Sequence, residues 1–129
     1  MSIKYNIIQK GTPGIVGGGD KKFYASNKVT GQAGIDELTE RIEKISTVSG
    51  SDIRAVLYGL ADVVPSLLRD GLSVNISDLG FFRVSISSDP SDAEEEVTKA
   101  NIRGAKILFR PGDKFKEMLQ TLKFEKAGS

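Results

Sequence analysis

The sequence has 129 residues, of which 39% are hydrophobic and 27% charged, which is typical of a single globular domain with a short added element. It contains no Cys and no His, which excludes disulfides, thiolate metal ligands and Ser-His or Cys-His nucleophile pairs, so neither an enzyme nor a metal site is expected. The net charge of +1 is small for a nucleic-acid-binding protein, but both ends of the chain are basic and its middle is acidic.

The first 33 residues are predicted to form a β-hairpin with a long loop. Apolar and polar residues alternate over residues 3–9, and a second strand is expected over residues 22–29. Residues 11–19 are rich in glycine, but they lack the Gly-Lys-Ser/Thr ending of a P-loop and open no helix, which favours a flexible loop over a phosphate site. Three lysines either widen a basic face of this hairpin or keep its edge soluble. They are Lys21, Lys22 and Lys28.

Two helices are predicted next, over residues 35–46 and from Ser49 to about Arg69. Ser49 is well placed as the N-cap of the second helix, Gly71 follows it as a left-handed C-cap, and Pro65 is expected to kink it. The apolar stripe of the second helix is too wide for one short partner helix. We therefore expect a second subunit to cover part of it.

A second β-hairpin is predicted over residues 72–77 and 82–86, with a tight turn between them. The polar, acidic stretch 87–98 shows no helical or strand period and is interpreted as an extended or mobile excursion. A third strand is expected over residues 102–109, and a short helix begins at Asp113. The last three residues are expected to be disordered.

The order of these elements over about residues 34–122, together with three motifs, resembles the HU and integration host factor family of bacterial DNA-bending proteins. The motifs are Val48-Ser49 at the start of the long helix, a glycine turn followed by Phe within residues 74–84, and Phe109-Arg110-Pro111-Gly112 before the last helix. The resemblance implies an α+β, HU-like fold with a helix-turn-helix hairpin, a three-stranded antiparallel sheet with a protruding arm, and a short C-terminal helix, in an intertwined dimer. Residues 1–33 look like the extension of a longer HU-like branch, which divides the chain into that β-hairpin and a DNA-binding domain over residues 34–126.

The function that this resemblance implies is that of a histone-like, nucleoid-associated homodimer that binds, bends and condenses double-stranded DNA with little sequence specificity. In the family, two arms reach into the minor groove, a proline wedge kinks the duplex, and cations clamp the phosphates. No cofactor, small-molecule substrate or membrane partner is expected, and the lack of a long apolar run or a signal-peptide core predicts a cytoplasmic location. The alternative is a HU-like fold used as a protein-interaction or assembly module with weak or no DNA binding.

Five candidate DNA-binding residues lie near two turns. Arg110, Gly112 and Lys114 flank the turn that opens the last helix, where free N–H groups suit a phosphate, although a solvated surface turn explains them too. Leu79 and Gly80 occupy the hairpin turn, which lies near the DNA backbone in the family but is also an ordinary tight turn.

Three further candidates lie in the predicted arm, residues 85–104. This segment holds two cations against five carboxylates, a net charge of −3, whereas the family's arm is strongly basic. Lys99 and Arg103 either track phosphates or balance the neighbouring glutamates. Pro90 is either the wedge or a loop residue.

Overall fold

The computed structural model describes residues 1–11, 14 and 16–128, which form two compact units. One unit is Met1–Gly34 with the segment that begins at Leu119, and the other is Ile35–Met118. The mixed α+β composition is confirmed. The helices and strands are β1 (Ile3–Lys10), β2 (Lys22–Lys28), α1 (Ile35–Ile45), α2 (Gly50–Arg69), β3 (Val74–Ile76), β4 (Gly80–Ser88), β5 (Ile102–Pro111), α3 (Asp113–Gln120) and β6 (Phe124–Lys126).

The N-terminal unit contains a three-stranded sheet in the order β2-β1-β6. β1 and β2 pair antiparallel, as their alternation predicts, whereas β6 lies parallel to β1 with Ile3 beside Phe124. The Ala127 N–H donates to the Tyr5 carbonyl at 2.8 Å, so the predicted disorder is wrong at Ala127. Ser129 and three residues of the predicted loop, Thr12, Pro13 and Ile15, lie outside the described residues.

α1 and α2 pack against each other, and both ends of α2 are capped as predicted. The Ser49 hydroxyl accepts a hydrogen bond from the Asp52 N–H at 3.3 Å at the start of α2. Gly71 adopts φ +88° after its end, and its N–H donates to the Leu68 carbonyl at 3.0 Å. α2 continues through Pro65 to its last residue, and the expected kink stays a prediction.

The second unit is built on an antiparallel sheet in the order β3-β4-β5. β4 and β5 pair from Gly80 opposite Pro111 to Ser88 opposite Ile102, which makes both strands longer than the alternation predicted. We call this two-stranded segment the ribbon. Phe82 and Phe109 lie on one face of the ribbon with their ring centroids 5.0 Å apart, and Phe115 of α3 packs edge-on against Phe109.

The turn between β3 and β4 packs closely against the corner between β5 and α3. The Leu79 N–H donates to the Ile76 carbonyl at 3.0 Å, and the Gly112 N–H donates to the Leu79 carbonyl at 3.2 Å. A Cβ on Gly112 would collide with the Asp78 backbone carbonyl, which cannot move without breaking the turn. Gly112 is therefore fixed by a backbone contact between two loops.

The substitution Gly112→Ala tests this contact. We expect it to lower the free energy of unfolding by about 1–3 kcal/mol, the usual cost of forcing extra atoms into a packed site. Chemical denaturation measures the loss. Gly104→Ala is the control, because a Cβ there meets no atom within 4 Å and should change stability by less than about 0.5 kcal/mol. Equal stabilities of the two variants would contradict the contact.

Candidate nucleic-acid interface

Five of the eight predicted residues come together where the β3–β4 turn meets the corner between β5 and α3. The backbone brings them there, because Gly80 pairs with Pro111 and the Gly112 N–H bonds to the Leu79 carbonyl. We call this group the turn cluster. Its members are Leu79, Gly80, Arg110, Gly112 and Lys114.

The two glycines of the turn cluster have packing reasons to be glycine. Gly80 is buried with φ +150°, and a Cβ there would lie 2.5 Å from a ring carbon of Phe109. Gly112 faces the backbone of the opposite turn, as described above. These glycines are explained by the fold, so the side chains available for a ligand are those of Leu79, Arg110 and Lys114, all exposed.

The first turn of α3 adds a mixed electrostatic environment. The Gly112 carbonyl accepts from the Phe115 and Lys116 N–H groups at 3.1 and 3.2 Å, which starts the helix. A helix start leaves N–H groups without intrahelical partners and carries a partial positive charge, which suits an anion. Asp113 already places a carboxylate in that turn. The negative charge of Asp113 therefore offsets part of the positive charge that Arg110 and Lys114 offer to an anion.

The ribbon carries a basic face of three cations, two of which, Arg83 and Lys106, were not predicted as site residues. The register places Arg83 opposite Leu108, Lys106 opposite Ser85, and Arg110 opposite Phe81, and directly paired residues share one face of a sheet. All three cations are exposed. We call Arg83, Lys106 and Arg110 the basic face. The sequence does contain a signal for this face, because each of the three cations follows an apolar residue within a predicted strand.

The far end of the ribbon closes in a structured loop, residues 89–101, which we call the end loop. The Asp89 N–H donates to the Asn101 carbonyl at 2.7 Å, and two 3-10 turns occupy Glu94–Glu96 and Lys99–Asn101. The Asn101 side chain accepts from the Thr98 N–H at 2.9 Å and donates to the Asp89 carbonyl at 3.2 Å. The excursion interpreted from sequence as extended is therefore folded back on itself.

The end loop holds the other three predicted residues or lies beside them. Pro90 is exposed two residues beyond the end of β4, and Lys99 is exposed in the second 3-10 turn. Arg103 donates through Nε to the Asp89 carboxylate at 3.0 Å, so part of its charge is already balanced. The eight strand steps of β4 span about 27 Å, which separates these residues from the turn cluster.

Charge is divided sharply between the ribbon and the end loop. The two strands of the ribbon contain three arginines and one lysine and no carboxylate, for a net charge of +4. The end loop contains one lysine against two aspartates and three glutamates, for a net charge of −4. A polyanion is thus attracted along the strands and repelled at the end loop.

No metal or membrane feature accompanies this surface in the part of the chain that the structure describes. No group of its acidic residues is arranged to hold a metal ion. None of the described helices combines the length and the apolar character needed to cross a membrane.

Comparison with known proteins identifies the family. A model of the family HU-HIG, described as an HU domain fused to a winged helix-turn-helix, an immunoglobulin-like domain or a glycine-rich motif, matches residues 1–126. The chain belongs to this HU-HIG family. A solved structure from Bacteroides vulgatus ATCC 8482, named as a candidate bacterial DNA-binding protein, is similar in fold with a TM-score of 0.65 at 14% sequence identity. That similarity covers 98% of this chain but only 48% of the solved chain, so this chain spans about half of that protein's length.

The substitution Asn101→Ala tests whether the end loop is held by its own hydrogen bonds. The variant loses both bonds above and a third to the Ser91 hydroxyl at 2.9 Å, each worth about 1 kcal/mol. We expect hydrogen exchange at the Asp89 amide to accelerate at least about tenfold through local opening. Amides in the middle of α2 should not change. A uniform acceleration across the chain, or none at Asp89, would contradict local closure.

Proposed function

We propose that this chain is a histone-like architectural protein that binds double-stranded DNA, as a dimer and with little sequence preference. The observation that carries the proposal is the basic face, a row of three exposed cations on a ribbon whose strands contain no carboxylate. Membership of a family defined by its HU domain, and a similar fold in a candidate DNA-binding protein, support it. The nucleoid is the proposed place of action, and no chemical step is part of the function.

The proposed binding mode relies on contacts to the DNA backbone. Arginine and lysine side chains at intervals along a strand match phosphates, and neutralising phosphates releases condensed counterions. From Lys106 to Arg110 the ribbon advances four residues, about 13 Å. A two-stranded ribbon fits a DNA groove, and shape and deformability rather than base contacts would then set any preference.

The turn cluster and the end loop have different proposed roles in this mode. Leu79, Arg110 and Lys114 lie at the near end of the basic face, where the proposal places further backbone contacts. Pro90 would act as the wedge that bends DNA only if the acidic end loop is tolerated beside the phosphates. Lys99 and Arg103 would offset part of that repulsion.

The proposed dimer rests on apolar surface that one chain leaves uncovered. On α2, Val56, Leu60 and Val63 form one stripe and are 61%, 38% and 53% exposed. The chain exposes 10731 Å², whereas two separately folded bodies of the sizes of its two units would together expose only about 8,000 Å². Exposed apolar stripes of this kind mark association surfaces. A second copy of the chain is the proposed cover.

A second candidate function is protein interaction or assembly with weak or no DNA binding. The observation that favours it is the net charge of −4 on the end loop, which an architectural DNA-binding arm would not need. In that function the end loop would contact a basic surface of a protein partner.

The double variant Val56→Glu/Val63→Glu tests the dimer. Two carboxylates buried at a subunit interface cost several kcal/mol, so we expect the variant to sediment as a monomer or to unfold. Analytical ultracentrifugation with circular dichroism distinguishes these results from a folded dimer. Tyr58→Glu is the control, because Tyr58 is 58% exposed on the other side of α2 and its change should leave the dimer intact. A folded dimer of the double variant would refute the proposal that the α2 stripe forms the dimer interface.

The salt dependence of DNA binding tests the basic face. The triple variant Arg83→Gln/Lys106→Gln/Arg110→Gln should lower the slope of log affinity against log salt by up to about 2.7 per bound chain, because each phosphate contact contributes about 0.9. Fluorescence anisotropy with a short duplex at low and raised salt measures this slope. The charge-matched control replaces three cations of α1 and α2 that already pair with carboxylates. They are Arg41, Lys44 and Arg54.

The outcomes of this experiment separate the two functions. A wild-type chain that binds no duplex at low salt would favour the assembly function. Wild-type binding that both triple variants weaken equally would mean that net charge, not the basic face, attracts the DNA. Loss confined to the ribbon variant supports the proposed interface.

A further inference from the structure

The N-terminal sheet carries four lysines on one face and most of its apolar side chains on the other. Alternation along β1 places Lys4 and Lys10 on one face, and the register places Lys28 beside Lys4 and Lys22 beside Lys10. The other face carries apolar residues. They are Ile3, Tyr5, Ile7, Phe23 and Phe124. We call Lys4, Lys10, Lys22 and Lys28 the lysine face.

The lysine face consists of two like-charged pairs directly opposite each other on neighbouring strands. Such pairs destabilise a sheet, since their side chains are only about 5 Å apart at Cβ. The pairs are also six residues apart along β1, a separation of about 20 Å. Two repelling pairs at both ends of a short hairpin are unfavourable for folding, which points to a role in binding a polyanion.

Only part of this charge is balanced within the sheet. The Lys4 ammonium and the Ser2 hydroxyl both donate to the Glu125 carboxylate, at 2.6 and 2.9 Å, and these bonds hold the pKa of Glu125 below its usual range. The Lys10 ammonium lies 5.8 Å from the centre of the Tyr24 ring, a cation–π contact that leaves its charge in place. Four lysines against one glutamate leave the face at +3.

Polar and apolar side chains share the space between the two lysine pairs. Asn6 lies opposite Ser26, and Ile8 lies opposite Tyr24. Amide and hydroxyl donors beside lysines are the groups that commonly contact phosphate oxygens. The separation of about 20 Å corresponds to about six base pairs of duplex at 3.4 Å each.

We propose that the lysine face is a second DNA-backbone contact surface, separate from the basic face of the ribbon. The inference rests on the proposed function, because duplex DNA is the polyanion that this function brings to the chain. The lysine face would add phosphate contacts without base specificity, which raises affinity and makes binding more salt-dependent.

The double variant Lys22→Gln/Lys28→Gln in the full chain tests the proposal. Each substitution removes one member of a like-charged pair, so we expect the variant to be at least as resistant to denaturant as the wild type. For a short duplex, the slope of log affinity against log salt should fall by up to about 1.8 per bound chain. The charge-matched control is Lys21→Gln/Lys126→Gln, since Lys126 lies beside Tyr5 on the apolar face and Lys21 precedes β2.

The possible results distinguish this inference from the proposed function. A lowered slope in the lysine-face variant but not in its control supports the inference. Equal slopes in both variants, with wild-type binding intact, overturn the lysine face alone. No wild-type binding overturns both proposals. Unchanged DNA affinity with a loss of self-association in sedimentation would also overturn it, and would assign the lysines to a contact between copies of the chain.

Discussion

The structure depends on one constraint: a single copy of the chain leaves most of its large apolar side chains exposed to solvent. In the described residues, Ile53 and Leu68 are the apolar side chains that become buried, while α2 keeps an exposed stripe and the ribbon keeps an apolar face beside it. Because roughly 25 cal/mol is gained per Å² of apolar surface removed from water, this exposed surface represents a large unrealised stabilisation. In the proposed dimer, burial of the α2 stripe against the second subunit would supply this stabilisation.

The alternation of strand residues links that apolar requirement to the proposed interface. Alternation along β4 and β5 puts the residues that lie against α2 and α3 on one face and leaves the residues between them on the other. The same geometry that places Phe82 and Phe109 together therefore places Arg83, Lys106 and Arg110 on the opposite face. A one-residue shift of register would exchange the two faces, so the precise pairing at Gly80 and Gly112 supports the interface as well as the fold.

Sequence patterns predicted the elements whose signals are local. The caps at Ser49 and Gly71 were read from single residues with defined hydrogen-bonding roles, and they were confirmed. β6 was missed because three residues are too few to show a period, and its partner β1 lies more than 100 positions away in the sequence. Arg83 and Lys106 were missed because the candidates were taken from the turns and the arm, to which the family resemblance assigns DNA contacts, whereas these two cations lie along the faces of the predicted strands.

A net charge of +1 thus describes this protein poorly. The ribbon at +4 and the end loop at −4 cancel in the sum, yet about 27 Å of strand separates the turn cluster from the end loop, well beyond the Debye length of about 8 Å at physiological salt. A phosphate near Arg110 is therefore largely screened from the glutamates, whereas one near Pro90 is not. This asymmetry favours binding of a polyanion to the part of the ribbon near Arg110 and opposes its binding near the end loop. Under the proposed function, the chain would therefore hold DNA mainly through phosphate contacts along the basic face.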